Sequence, residues 1–134
     1  METIVVSAAV LIEGGRVLLS QRKAGTHLAG AWEFPGGKIL PGEDPRDALS
    51  RELREELGIE TTTGEIVDVT FHRYAERAVL LLFYLSRRRP ASPDPRAIDV
   101  GGFRWAGADE LVDAEFPAAD VAILQRVRTM LRTR

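Results

Sequence analysis

Between Phe34 and Ile59 the chain reads FPGGKILPGEDPRDALSRELREELGI, and three of its glutamates, Glu52, Glu55 and Glu56, follow directly on Arg51. On a helix, at ~100° per residue, the three carboxylates fall within an arc of roughly 100°. Glu52 and Glu56 then form an i,i+4 like-charge pair, which destabilises a helix by a few tenths of a kcal/mol. The residues four places beyond them are Glu56 and Glu60, so neither gains a basic partner at that spacing. Arg51 can pair with Glu55, but one guanidinium cannot neutralise three carboxylates. A divalent cation can. Clustered carboxylate oxygens suit a hard ion such as Mg²⁺, with Mn²⁺ as a substitute, and such an ion keeps waters and completes its shell with substrate phosphates. The helix therefore implies a phosphorylated ligand.

Local signals bound the helix that carries these groups. Asp44 can cap it, Pro45 suits its first position, Asp47 its first turn and Gly58 its C-terminal stop, so it should run from Pro45 to Leu57 with Leu49, Leu53 and Leu57 as its apolar stripe. Upstream, Ile4 to Ile12 and Arg16 to Arg22 read as a hairpin turning at Glu13-Gly14-Gly15. Lys23 to Ala31 is a loop, and a short strand from Trp32 to Phe34 delivers the chain to a Gly-rich turn. Downstream, Glu65 to Tyr74 and Ala78 to Ser86 are extended, joined by Ala75-Glu76-Arg77, and the second is apolar enough to be buried on two faces. Arg87-Arg88-Arg89-Pro90, running on to about Arg96, reads as an exposed loop whose Arg run is a solvated turn or a guard on a sheet edge. Phe103 to Ala106 is a last strand. Val121, Leu124, Val127 and Leu131 have helical spacing, and Asp120 is placed to cap that helix. Strands interrupted by one helix and closed by another give an α/β fold with a mixed sheet between helices.

The spacing of this stretch also resembles a known family. The Nudix hydrolase signature is G-x5-E-x7-R-E-U-x-E-E-x-G-U, with U aliphatic, and the chain places Gly37, Glu43, Arg51, Glu52, Leu53, Glu55, Glu56, Gly58 and Ile59 at its fixed positions. The likeness to the MutT-like, nucleotide-pool-sanitising branch extends to Arg22, His27, the run Glu33-Phe34-Pro35-Gly36-Gly37-Lys38 and a C-terminal Phe116-Pro117-Ala118-Ala119-Asp120. The resemblance implies an α/β/α sandwich and a Mg²⁺-dependent nucleoside triphosphate pyrophosphohydrolase. Water would attack the β-phosphorus of an oxidised or modified nucleotide such as 8-oxo-dGTP, releasing a monophosphate and pyrophosphate.

By the same resemblance, Glu52 and Glu56 are the principal metal ligands, joined by Glu55, the Gly36 carbonyl and Asp99, which stands six places before Trp105. Glu52 is the first choice as general base and Asp99 the alternative. Arg51 orients the carboxylates, and Glu43 stabilises the loop and the helix start. Arg22, His27, Glu33, Phe34, Pro35, Gly36, Lys38 and Asp120 become nucleotide contacts, although Trp32 and Phe34 also read as core residues and His72 as structural. Asp120 stands where MutT has Asn. An ionised Asp only accepts hydrogen bonds, which suits the amino group of cytosine and keeps CTP, dCTP and 5-methyl-dCTP as alternative substrates; a protonated Asp would read the O6 and N7–H of 8-oxoguanine. Tyr74 keeps dinucleoside polyphosphates open. A non-catalytic nucleotide sensor is the alternative of another class, and the intact glutamate set favours the enzyme. A Walker-type phosphate loop is excluded, because Lys38 is not followed by Ser or Thr.

Composition bounds the rest. With 134 residues, 45% hydrophobic and 28% charged, residues 1–134 fit one domain with a real core. A net charge of −2 gives no general electrostatic case for a nucleic-acid polymer. Cysteine is absent, so neither a disulfide framework nor a thiolate metal site exists. METIVVSAAV lacks a basic leader region, and no apolar run approaches the ~20 residues of a membrane span. A cytoplasmic protein off the membrane, monomeric or weakly dimeric, is the expectation.

Overall fold

Alternating apolar residues in the first strand decide the layering. Ala8 and Val10 point to one side of the sheet and Ala9 and Leu11 to the other, and all four are buried. A strand buried on both faces needs a helix over each. In the computed structural model, which describes residues 1–133, that strand is β1 (Glu2–Glu13), and it is followed by β2 (Arg16–Gln21), β3 (Trp32–Glu33), β4 (Gly36–Lys38), α1 (Pro45–Leu57), β5 (Thr61–Arg73), β6 (Arg77–Arg88), β7 (Gly102–Ala106) and α2 (Ala118–Arg132).

The strands form one mixed sheet in the order β3-β2-β1-β6-β5, with β4 also on β1 and β7 on β2. β1 runs parallel to β6 from Glu2↔Arg77 to Leu11↔Ser86, while its other edge pairs with β4 at Val6 to Ala8 and with β2 from Ile12. Leu49, Leu53 and Leu57 of α1 cover Ala9, Leu11, Leu18, Ile59 and Tyr84. On the opposite face Ile123, Leu124, Val127 and Leu131 of α2 cover Val10, Val17, Leu19, Phe34 and Phe83. The result is the expected α/β/α sandwich. Each fully buried Leu or Phe contributes roughly 1.5–3 kcal/mol of burial free energy, so the two layers hold α1 and α2 firmly against the sheet. Among the described residues, no helix is long and apolar enough to cross a membrane.

The structure departs from the sequence reading in four places. The Gly-rich turn is a strand at Gly36–Lys38, because glycine alone lets the backbone approach β1 so closely: a Cβ on Gly36 would lie 2.0 Å from the Ser7 carbonyl oxygen. β5 begins at Thr61 rather than Glu65, with register shifts between Thr63 and Asp68 that absorb its irregular alternation. The Arg run is divided: Arg89 opens the expected exposed loop and Arg87 is exposed, but the strand reaches further than expected. Arg87 and Arg88 belong to β6, where Arg88 makes bidentate bonds of 2.7 Å to Glu13, pairs with Asp94 at 2.8 Å and lies over the Trp105 ring. Finally, α2 starts at Ala118 with Pro117 in the capping position, so Asp120 sits inside the first turn and is not the cap.

Candidate active site

Helix α1 is fixed at both ends by the residues that predict it. The Asp44 carboxylate accepts from the Arg46 and Asp47 amides at 2.8 and 3.4 Å, and Gly58, at φ 70°, turns the chain while its N–H donates to the Arg54 carbonyl. With the leucine stripe facing the sheet, Glu52 and Glu56 project into a cleft of about 880 Å³. The cleft is lined from both layers: α1 supplies these two carboxylates, α2 supplies Ala119 and Asp120, and β1 and β6 supply Ile4, Val6, Ala8, Val79 and Leu81 as an apolar floor.

Arg51 organises the acidic end. Its guanidinium donates to Glu43 at 2.8 and 3.0 Å, to Glu52 at 3.0 Å, to Glu55 at 3.1 Å and to the Lys38 carbonyl at 3.2 Å. Glu43 also accepts from the Leu40 amide, and the Arg51 hydrogen bonds hold its carboxyl below the usual range. Glu43 is thus a brace for the loop before α1. Glu52 lies against the backbone of Gly37, where a Cβ would meet its carboxyl group at 2.3 Å. Burial raises the Glu52 pKa, and Arg51 opposes that shift. Burial pushes Glu56 up to about 8, and the neighbouring charges of Glu52, Glu33 and Asp99 add to the shift against Arg22.

At the other side of the cleft Arg22 donates to Glu33 at 3.2 Å and to the His27 carbonyl, which ties the loop after β2 to β3. Burial raises the Glu33 pKa against that partner. Asp120 is 6% exposed, and burial followed by the Glu33 charge raises its pKa well above the ordinary carboxyl value, with the Phe34 amide and Arg22 acting the other way. Burial thus favours the protonated form of this carboxyl, the form that both donates and accepts.

Of the residues singled out from the sequence, Arg22, His27, Glu33, Phe34, Gly36, Lys38, Glu52, Glu56 and Asp120 line the cleft. Four do not. Pro35 turns its carbonyl to the Ala9 amide at 2.8 Å. Arg51 stands behind the carboxylates it bonds. The Glu55 side chain is 56% exposed and pairs with Arg51. Asp99 is 59% exposed and pairs with Lys23, although its amide bonds the Glu56 carbonyl at 3.1 Å, which sets it just behind that glutamate. Tyr74, which keeps dinucleoside polyphosphates open, also lines the cleft, whereas sequence reasoning missed Glu76, Arg77, Val79 and Leu81 as cleft residues. The period-two alternation of Ile4, Val6 and Ala8 was a signal for the floor, but the parallel pairing with β6 that completes it is long-range.

The donor set fits a divalent ion by its chemistry. Among the described residues, no three Asp, Glu or His side chains already converge on one point. Nevertheless Glu52 and Glu56 share a cleft with Glu33 and Asp120, and without a cation Glu56 holds a proton up to about pH 8. A hard cation bound beside these carboxylates would take the place of that proton.

Comparison with known proteins agrees with this geometry. The NUDIX domain family model matches residues 7–126. The CTP pyrophosphohydrolase of Escherichia coli is 57% identical over 67 residues, a match that spans half of this chain and half of that protein. The putative 8-oxo-dGTP diphosphatase 2 of Mycobacterium tuberculosis is 38% identical over 116 residues, covering 87% of this chain and 82% of the relative. The solved structure of a MutT NUDIX hydrolase from Burkholderia pseudomallei superposes with a TM-score of 0.82 at 28% identity, covering 95% of this chain and 99% of that one.

Proposed function

The chain belongs to the Nudix hydrolase family, whose members depend on divalent metal, and on that premise we propose that it is a nucleoside triphosphate pyrophosphohydrolase of MutT type. Its substrate in this reading is an oxidised or modified nucleotide such as 8-oxo-dGTP, with Mg²⁺ as the ion and Mn²⁺ as a substitute. Residues 1–134 act as one domain on free nucleotides, as a monomer or weak homodimer. The observation that carries the reading is the placement of Glu52 and Glu56 in the same cleft as the buried Asp120.

The ion, when bound, supplies charge neutralisation at the phosphates. Glu52 and Glu56 would hold it, with the Gly36 carbonyl, Glu55 and Asp99 as further candidate ligands. Arg51 keeps the carboxylates in place, and Arg22 and Lys38 face the phosphates. Glu52 takes a proton from the attacking water, with Asp99 as the alternative base. The water oxygen bonds to the β-phosphorus, the bond from that phosphorus to the α,β-bridging oxygen breaks, and the monophosphate leaves. Hydrolysis in H₂¹⁸O should therefore put the label in pyrophosphate. Label in the nucleotide product would mean attack at the α-phosphorus, and absence of turnover across a nucleotide panel would leave a binding module.

Asp120 carries the choice of base. A neutral carboxyl presents one donor and one acceptor, which match the O6 and N7–H of 8-oxoguanine, whereas unoxidised guanine offers two acceptors there. The same pair matches N3 and the amino group of cytosine, and the 57% identity to the E. coli CTP pyrophosphohydrolase favours cytidine triphosphates as the second reading. Because an amide also donates and accepts, Asp120→Asn should keep the kcat/KM ratio of the preferred nucleotide over dGTP within about threefold at pH 7. Asp120→Leu leaves the base edge unpaired at a cost of about 1–3 kcal/mol, so it should cut that ratio roughly 5- to 150-fold. Equal ratios in all three proteins would remove Asp120 from base recognition.

A further inference from the structure

The helix that delivers Asp120 has no cap of its own. Pro117 stands at its N-terminus without a side-chain acceptor, yet the first amides of a helix require acceptors from outside it. The Asp120 amide closes back on the Pro117 carbonyl at 2.9 Å. The Ala119 amide, on a residue only 4% exposed, instead donates to the Tyr74 hydroxyl at 3.1 Å, across 45 residues of sequence.

Tyr74 is well placed to hold that contact. It stands just beyond β5, and its own amide donates to the Arg77 carbonyl at 2.8 Å, closing the turn into β6. Its ring meets His72 edge-on with centroids 4.6 Å apart and His27 at 6.0 Å. His27 lies on the loop whose carbonyl Arg22 grips. Tyr74 therefore joins three walls of the cleft: the β5–β6 turn, the loop after β2 and the first turn of α2.

We propose that Tyr74 is a positioning residue for base selection: by accepting the Ala119 amide it fixes the first turn of α2 and so places the Asp120 carboxyl in the cleft. This inference rests on the base-reading role proposed for Asp120. Removing the hydroxyl leaves the Ala119 amide without its acceptor and frees the turn to shift, while the ring and its contacts to both histidines remain.

The test is equilibrium binding of CMP, 8-oxo-dGMP, dGMP and ribose 5-phosphate to the whole chain as wild type, as Tyr74→Phe and as Tyr74→Phe with Pro117→Ser. Serine at the capping position can accept from the second helical amide, which is that of Ala119, and so supplies the missing bond locally. Tyr74→Phe should weaken the best-bound base at least fivefold and leave ribose 5-phosphate within twofold, and Pro117→Ser should restore most of the lost selectivity. Unchanged selectivity in Tyr74→Phe would overturn the inference, as would an equal loss for ribose 5-phosphate. Lost selectivity that Pro117→Ser does not restore would also overturn it, because the hydroxyl would then be touching the ligand itself. Should Tyr74→Phe fail to fold, a double variant that folds with wild-type selectivity supports the inference, and one that does not overturns it. A wild type that binds selectively but hydrolyses no triphosphate would end the proposed function and leave this inference standing, whereas a wild type without base selectivity would end this inference.

Discussion

Glu56→Gln and Glu52→Gln should each lower kcat roughly 10²- to 10³-fold at saturating Mg²⁺ while the fold stays intact, the scale seen when a group stabilising developing charge is removed. Both glutamates are anchored by the leucine face of α1, which neither substitution touches, so circular dichroism should not change. Metal-free stability supplies a second readout. The folded-state pKa of Glu56 is pushed up to about 8 from 4.5, so between those values the folded chain binds more protons than the unfolded one. The stability linked to this proton is full below about pH 4.5 and is lost as the pH rises through about 8. In EDTA the wild-type Tm should therefore fall on going from pH 5 to pH 8. Glu56→Gln, which keeps a neutral group there, should flatten that fall, and Mg²⁺ should raise the Tm of the wild type at pH 8 more than that of the variant. Near-normal kcat in both variants would remove these residues from the chemistry.

Adjacent glycines should fail in different ways. A Cβ on Gly36 would lie 2.0 Å from the Ser7 carbonyl oxygen and 2.8 Å from the Ala8 Cα, all of it backbone that no rotamer can move aside. Gly36→Ala must push β4 off β1, breaking the Ala8↔Gly36 and Ser7↔Gly37 pairing, and should destabilise the protein by about 3 kcal/mol or more. The three atoms nearest to a Cβ on Gly37 would all belong to the Glu52 carboxyl group, at 2.3 to 2.7 Å, which is the movable end of a side chain. Gly37→Ala should therefore melt within a few degrees of the wild type but lose kcat by about 10-fold or more as Glu52 swings from its place. Thermal melts and steady-state kinetics on the pair decide it. A Gly37→Ala protein with full kcat would show that the position of Glu52 beside Gly37 does not matter to turnover, and a Gly36→Ala protein of unchanged Tm would show that β4 can part from β1 freely.

What the sequence determined by itself is what local chemistry controls. Asp44, Pro45 and Gly58 bound α1 at both ends, because capping and a left-handed stop act within one turn, and the spacing of Arg51, Glu52, Glu55 and Glu56 already defined the acidic face and its need for a cation. The hairpin of β1 and β2 was legible for the same reason, since two glycines at positive φ make its turn. Tertiary structure decided everything that depends on burial or on partners far along the chain. Asp120 reads as a cap in sequence, yet it becomes a buried carboxyl whose pKa burial and Glu33 raise, because α2 begins earlier and carries it into the cleft. Tyr74 takes over the capping contact from 45 residues away. Arg88 leaves the solvent for Glu13 because β6 runs beside β1, and Glu55, equal to its neighbours in the spacing, ends outside the cleft because Arg51 holds it there. Capping and turn signals are written in neighbouring residues, whereas desolvation and ion pairing exist only once distant strands have met.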